Sequence, residues 1–251
     1  MPTDVTMGAG YAARRGWVQE YFDRTASAAW ARLTSDAPVS GVRATVRAGR
    51  DRMRGLLTGW LPADLSGLRV LDAGCGPGTL AIELAARGAL VTAVDVAPTL
   101  IALARERAAG LPGARRIRWH VGDMLDPALG RFDHVVAMDS LLAYEADDTA
   151  DALAALAERT TGSVLATFAP ASVLLRTMRV VGRAFPRGDR APAIVPVAPD
   201  RLRAAVERRV GAGAALRGWR WARSERVASG FYTSQAVQLI APITPRPVLS
   251  S

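Results

Sequence analysis

Lysine is absent from the sequence, so all 32 basic residues are arginine. Cysteine occurs once and histidine twice. A single cysteine excludes an internal disulfide framework and fits a reducing compartment. Half the residues are hydrophobic, yet no stretch reaches the roughly 18 uninterrupted apolar residues of a membrane span. The N-terminal segment lacks a basic region followed by an apolar run and a small-residue cleavage site, so no signal peptide is expected. These absences leave a soluble cytoplasmic protein, and 251 residues suffice for one sizeable core.

What is present is an uneven charge. Residues 14–54 carry nine Arg against four Asp/Glu, and residues 176–226 carry thirteen against four. The flanks therefore net +5 and +9; with a total of +9, the rest nets −5. Arginine-only usage is what a biased genome composition gives. Its placement, however, sets a field that draws anionic partners toward the flanks: carboxylates, phosphates, nucleic acid or an anionic bilayer.

From residue 11 to 60 the pattern is helical, broken at Pro38 and Gly41, with Trp17, Tyr21, Phe22 and Trp30 among the apolar positions. Beyond residue 67 short apolar runs alternate with longer amphipathic ones. Strands are predicted over 69–73, 90–95, 117–121, 134–138 and 163–168, with helices over 79–87, 98–109 and 147–161. That alternation means βαβ units and a doubly wound, mostly parallel sheet. Residues 170–199 interrupt it as a helix over 171–181 and an Arg/Pro-rich extended loop. A helix over 201–210 and strands near 215–222 and 230–240 bring the sheet to seven strands. The organisation expected is an N-terminal helical arm or lid (1–60), a Rossmann-like domain (61–241) with an inserted helix–loop cover (170–199), and a tail (242–251).

The segment Asp72-Ala73-Gly74-Cys75-Gly76-Pro77-Gly78-Thr79 ends a strand and opens a helix. Its glycines allow a sharp turn and a ligand lying against the main chain, and the helix offers unpaired N–H groups. Cys75 reads as a small residue within the loop. A dinucleotide G-x-G-x-x-G pattern needs Gly or Ala at Thr79, and Asp72 would repel a pyrophosphate. The same carboxylate suits the cationic amino end of a methionine moiety. Asp95 ends the next strand, where it can accept both ribose hydroxyls or cap the following helix. Val96 and Leu100 follow it in the candidate cofactor set. Asp123 and Met124 follow the third strand and can offer a carboxylate to an exocyclic amine and an apolar wall to a purine. Met138 and Asp139 sit at the end of the fourth strand, beside the switch point, and complete the candidate cofactor set.

With these residues assembled, the core from 67 to 168 resembles the class I S-adenosylmethionine methyltransferases. Segments outside it resemble the magnesium-protoporphyrin IX methyltransferases of (bacterio)chlorophyll synthesis. They are Tyr21-Phe22 with Trp30, Met138-Asp139-Ser140-Leu141-Leu142, Thr167-Phe168-Ala169-Pro170, Phe185-Pro186-Arg187 and Ser229-Gly230-Phe231-Tyr232. The resemblance implies methyl transfer from S-adenosylmethionine to a porphyrin propionate, with S-adenosylhomocysteine as product. Magnesium would then enter only inside the substrate, with no protein-bound metal; His120 and His134 fall inside strands as core or supporting residues. Tyr21 matches the tyrosine that the family places over its active site. The family's usual histidine before the next tyrosine is replaced here by Ala143.

A propionate with a pKa of roughly 4–5 is already ionised at neutral pH, so the reaction needs no general base. Tyr21 would position or cover the methyl group and Tyr144 hydrogen-bond the carboxylate, or both are half-buried tyrosines. For the propionates the candidates are Ser140, Arg187, Arg190 and the row Arg43, Arg47, Arg50; that row could instead clamp the cofactor carboxylate or simply be solvated. Family-level partners are the porphyrin and the large subunit of magnesium chelatase. A greasy substrate and basic flanks imply peripheral contact with the photosynthetic or inner membrane. A nucleic-acid methyltransferase is disfavoured by Asp139-Ser140-Leu141-Leu142, where base-amine enzymes carry an Asn/Asp-Pro-Pro-aromatic turn. A methyltransferase of a quinone or other small metabolite, and an inactive cofactor-binding module, remain as alternatives.

Overall fold

The computed structural model describes residues 11, 15–16, 41–171, 194–212 and 216–242. The elements are α1 (Gly41–Gly59), β1 (Arg69–Ala73), α2 (Thr79–Ala86), β2 (Leu90–Asp95), α3 (Pro98–Ala108), β3 (Ile117–Val121) and β4 (Phe132–Ala137). There follow α4 (Ala146–Glu158), β5 (Thr160–Phe168), α5 (Pro199–Ala212), β6 (Arg220–Ser229) and β7 (Tyr232–Ile240). They build one seven-stranded sheet of order β3-β2-β1-β4-β5-β7-β6. All neighbours up to β5 pair parallel, and β7 runs antiparallel to both β5 and β6. Because β1 turns outward to β2 on one side and meets β4 on the other, the switch point lies between β1 and β4.

Successive strand residues face opposite layers, and the core divides accordingly. On one side Leu71, Val135 and Val164 pack with Leu153 and Leu156 of α4 and with Leu202 and Val206 of α5. On the other, Val70, Val91, Val136 and Leu165 pack with Met53 and Leu57 of α1, Leu84 of α2 and Ile101 of α3. Helix α1 also lies on the β6–β7 hairpin. A Cβ on Gly49 would come within 2.5 Å of the Tyr232 ring, so only glycine admits this approach. Gly49→Ala is accordingly expected to cost about 1–3 kcal/mol through overpacking, read from urea unfolding.

Strands β1, β2 and β3 begin and end where the sequence pattern puts them. Other elements differ in their limits. Helix α4 stops at Glu158, short of 161, and β5 begins at Thr160. The Thr160 hydroxyl donates to the Leu156 carbonyl at 2.7 Å, and β-branched Thr160-Thr161 continue as strand. Strand β4 starts two residues early, across an irregularity between Phe132 and His134. Strand β6 spans Arg220–Ser229 rather than 215–222, because it pairs with β7 through the tight Gly230-Phe231 turn, where Gly230 has φ 55°. It forms the edge of the sheet, and its exposed Arg220, Arg223, Glu225 and Arg226 hide the apolar alternation. The expected helix over 171–181 lies outside the described residues except Ala171, which is not helical. Residues 195–197 return beside the sheet, with Val195 N–H donating to Leu142 O and Val197 N–H to Ala169 O.

Several arginines serve the backbone rather than a ligand. Arg87 donates to the carbonyls of Thr58, Pro62 and Ala63, and Arg159 to those of Met124 and Asp126. Arg209 pairs with Asp151 and Asp147. Of the histidines, His134 is partly buried against Ser163 Oγ at 2.8 Å, and burial holds its pKa below the usual value. His120 corrects the expectation of a core position: it is exposed on edge strand β3.

Candidate functional site

The carboxyl ends of β1, β2, β3 and β4 gather the acidic residues singled out in the sequence. The β1–α2 loop is stitched to β2: Gly74 and Cys75 N–H groups both donate to Val94 O at 2.9 Å. Gly76 N–H donates to Asp95 Oδ2 at 2.8 Å, and Ala97 N–H to Asp95 Oδ1 at 3.0 Å. Asp95 thus organises the glycine loop and the start of α3 at once. Gly74, Gly76 and Gly78 all adopt positive φ (79°, 51° and 80°), which disfavours any residue with a Cβ. Gly78 has a further reason: a Cβ there would meet the Trp119 ring at 2.6 Å, so it serves helix–strand packing rather than ligand approach. At Gly74 a Cβ would come within 2.4 Å of Ser140 Cβ, which brings the turn after β4 directly onto the loop.

Asp72 is fully buried behind this loop. The Ala81 N–H bonds to its carboxylate, while Oδ2 finds no hydrogen-bond partner among the described residues. Burial, and secondarily the charge of Asp95, push its pKa up to about 7. Ser140 Oγ is likewise buried and without a partner among the described residues. Burial also raises the Cys75 thiol, with Asp72 and Asp95 adding to the effect, so Cys75 stays protonated and acts as a small loop residue. Leu100 and Met124 are buried; Val96 and Met138 are half-buried alongside.

Asp123 is not an open carboxylate here. Its Oδ1 accepts from Tyr11 Oη at 2.8 Å and from Leu125 N–H at 2.9 Å, and Arg15 donates to Oδ2 at 2.6 Å. The Tyr11 ring stacks on Tyr144, with centroids 5.1 Å apart and planes at 25°. Burial first, and then the charge of Asp123, lift the Tyr11 phenol far above its usual range, so it stays a neutral donor. Tyr144 and Ala143 are both buried.

Asp139 also differs from the expectation of a strand-end acid open to a ligand. Its side chain is 4% exposed. The backbone is left-handed at φ 58°, unlike any other described non-glycine residue. Its N–H donates to Thr167 Oγ1 at 2.7 Å, and its Oδ1 accepts from Thr167 Oγ1 and from Tyr232 Oη at 3.1 Å. Arg50 of α1 stands 3.5 Å from Oδ2. Arg47 is half-buried on the same helix, and of Arg43 only the backbone is described. Tyr21, Arg187 and Arg190 lie outside the described residues. Sequence reasoning missed Tyr11, Arg15, Thr167 and Tyr232 as neighbours of the site. Tyr232 and Thr167 stood in the quoted family segments, whereas nothing in the pattern pointed to Tyr11.

Residues 137–241 match the family model of the magnesium-protoporphyrin IX methyltransferase C-terminus, and residues 70–161 match that of a methyltransferase domain. A magnesium-protoporphyrin O-methyltransferase from Rhodobacter capsulatus is 47% identical over 95% of this chain and 99% of that protein. The chain belongs to the magnesium-protoporphyrin O-methyltransferase family. Its fold agrees with a member's crystal structure, magnesium protoporphyrin IX methyltransferase from Synechocystis PCC 6803 with bound SAH. That match has TM-score 0.76 and 25% identity, and covers 90% of this chain and 99% of the other. By contrast, a ubiquinone biosynthesis O-methyltransferase from Xanthomonas oryzae pv. oryzae is 42% identical over only 35% of this chain and 36% of that protein. The family model that begins at residue 137 takes in Asp139, Ser140, Thr167 and Tyr232, the turn and the hairpin that close on the switch point.

Proposed function

We infer that the chain transfers a methyl group from S-adenosylmethionine to a propionate carboxylate of magnesium-protoporphyrin IX, giving the monomethyl ester in (bacterio)chlorophyll synthesis. The observation that carries this is the near full-length likeness to the Rhodobacter capsulatus enzyme. A quinone methyltransferase would share the glycine loop, but the likeness to such enzymes spans about a third of the chain.

The residues present fit the cofactor. Asp72 Oδ2, buried and without a partner among the described residues, is an acceptor for a cationic amino group. Asp95 holds the loop in shape and stands where ribose hydroxyls are taken up. Val96, Leu100, Met124 and Met138 supply apolar walls, and Asp123 would receive the adenine amine once Tyr11 and Arg15 share it. When bound, the sulfonium offers an electrophilic methyl group, which the propionate oxygen attacks as the sulfur leaves with the bonding pair. The protein's part is alignment and exclusion of water, since the nucleophile is already ionised. No proton transfer is needed, which makes Ala143 compatible with turnover. Tyr21 is proposed to position or cover the methyl group, Tyr144 to hydrogen-bond the reacting carboxylate, and Ser140, Arg43, Arg47, Arg187 and Arg190 to hold the propionates. The arm (1–60) and the insertion (170–199) are proposed as the covers of a domain over 61–241.

Magnesium arrives within the porphyrin. No helix among the described residues is long and apolar enough to cross a membrane. Cytoplasmic residence with peripheral contact at an anionic membrane, and docking to the magnesium chelatase large subunit, are further proposals. Co-sedimentation with anionic vesicles and a pull-down with that subunit test them, and failure of either removes it. The decisive assay supplies S-adenosylmethionine with magnesium-protoporphyrin IX, metal-free protoporphyrin or bulk RNA. The monomethyl ester of the magnesium porphyrin is the expected product. Cofactor binding without that product would overturn the substrate assignment.

A further inference from the structure

Three carboxylates, Asp72, Asp95 and Asp139, stand at adjacent strand ends, where an anionic nucleophile has to approach. Uncompensated, they would repel it. Asp139 has a cation at hand: Arg50 lies 3.5 Å from Oδ2, with only 16% of its side chain exposed, and Tyr232 donates to Oδ1 at 3.1 Å. The same contacts hold a backbone that resists its own conformation, since left-handed φ is unfavourable for aspartate. Thr167 fixes the Asp139 N–H, and the next residue, Ser140, packs onto Gly74 of the cofactor loop. Arg50 and Tyr232 come from α1 and β7, elements far apart in sequence that meet where Gly49 packs on the Tyr232 ring.

We propose that Arg50 and Tyr232 are positioning residues for methyl transfer, acting through Asp139, which is an anchor and charge-balanced hub rather than a cofactor ligand. Arg50 cancels the Asp139 charge so that a carboxylate substrate is accepted at the switch point. Tyr232 and Thr167 pin the Asp139-Ser140 turn against the glycine loop. The charge-balance half rests on the carboxyl methyltransferase function inferred above; the pinning half does not.

The test uses the full chain with Tyr232→Phe, Arg50→Gln, Asp139→Asn and the double variant Arg50→Gln/Asp139→Asn. A surface control, Arg208→Gln on α5, is expected to match wild type. Tyr232→Phe keeps the ring on Gly49 and loses the hydroxyl, so kcat should fall about 10-fold while affinity for S-adenosylhomocysteine stays within about 2-fold. Arg50→Gln should raise KM for magnesium-protoporphyrin about 10-fold by removing the positive charge that balances Asp139. Asp139→Asn added to it restores charge balance and keeps an acceptor for Tyr232, and should bring KM back to within about 3-fold of wild type. A double variant worse than Arg50→Gln alone overturns the charge-balance role. Loss of S-adenosylhomocysteine binding in Asp139→Asn overturns the anchor assignment, because a ligand would behave that way. Deuterium uptake at residues 138–142, measured without porphyrin, should quicken in Tyr232→Phe and Arg50→Gln; unchanged uptake overturns the pinning. Should the wild type itself fail to methylate the porphyrin, the charge-balance half falls with that reading, and uptake alone decides the pinning.

Discussion

Replacing Asp72 with Asn is expected to weaken S-adenosylmethionine binding about 100-fold near pH 7.5 and to raise the melting temperature of the cofactor-free protein. Both effects have one cause. Burial, with the Asp95 charge behind it, lifts the Asp72 pKa from 3.8 to about 7. Between those values the folded chain binds a proton that the unfolded chain has released. Stability of the cofactor-free protein therefore falls as pH rises from about 4 to about 7 and is flat beyond, a total of roughly 4 kcal/mol. A cation against Oδ2 reverses the preference and expels the proton. Affinity should accordingly drop about tenfold for each pH unit below 7, and fade above about 8 as the ligand's own amino group deprotonates. In Asp72→Asn the acid limb disappears. Calorimetric titration from pH 5.5 to 8.5 checks this, and an unchanged acid limb in the variant would place the titrating group elsewhere.

The parts of this arrangement that sequence reveals are those written in local pattern. Strands β1 and β2 are short, largely buried and carry Asp72 and Asp95 at their carboxyl ends, so their limits and those acids can be read directly, while β3 is marked by alternation at an exposed edge. The Asp72–Gly78 loop is legible because positive φ at the alternate positions 74, 76 and 78 favours glycine at each. What pairing decides is not legible. Strand β6 is an arginine-rich edge whose existence depends on β7, and its residues carry no alternation of their own. Asp139 was marked by its place after β4, but its left-handed backbone and its enclosure by Arg50, Thr167 and Tyr232 depend on chain segments far apart in sequence. Asp123 likewise read as an open acid, because its partners Tyr11 and Arg15 lie over 100 residues away. Sequence position identified the carboxylates; it did not show which were already engaged.

That distinction matters most at Asp95, for which Asp95→Ala is expected to reduce cofactor affinity at least about 100-fold. The side chain accepts from Gly76 N–H and Ala97 N–H. Each charge-assisted bond of this kind contributes about 1.5–3 kcal/mol, and losing both frees the glycine loop as well as removing a ribose acceptor. Asp95→Asn separates shape from charge. An amide can accept one of the two N–H groups but sets its own N–H₂ against the other, so affinity at the pH plateau should still fall, by less than in Asp95→Ala. Removing the charge also lowers the Asp72 pKa, because Asp95 is the second cause of its elevation after burial. The acid limb of cofactor binding should then move to lower pH in Asp95→Asn while the limb itself persists. An acid limb that stays at its wild-type pH would show that burial alone sets the Asp72 proton affinity and that the two carboxylates do not communicate.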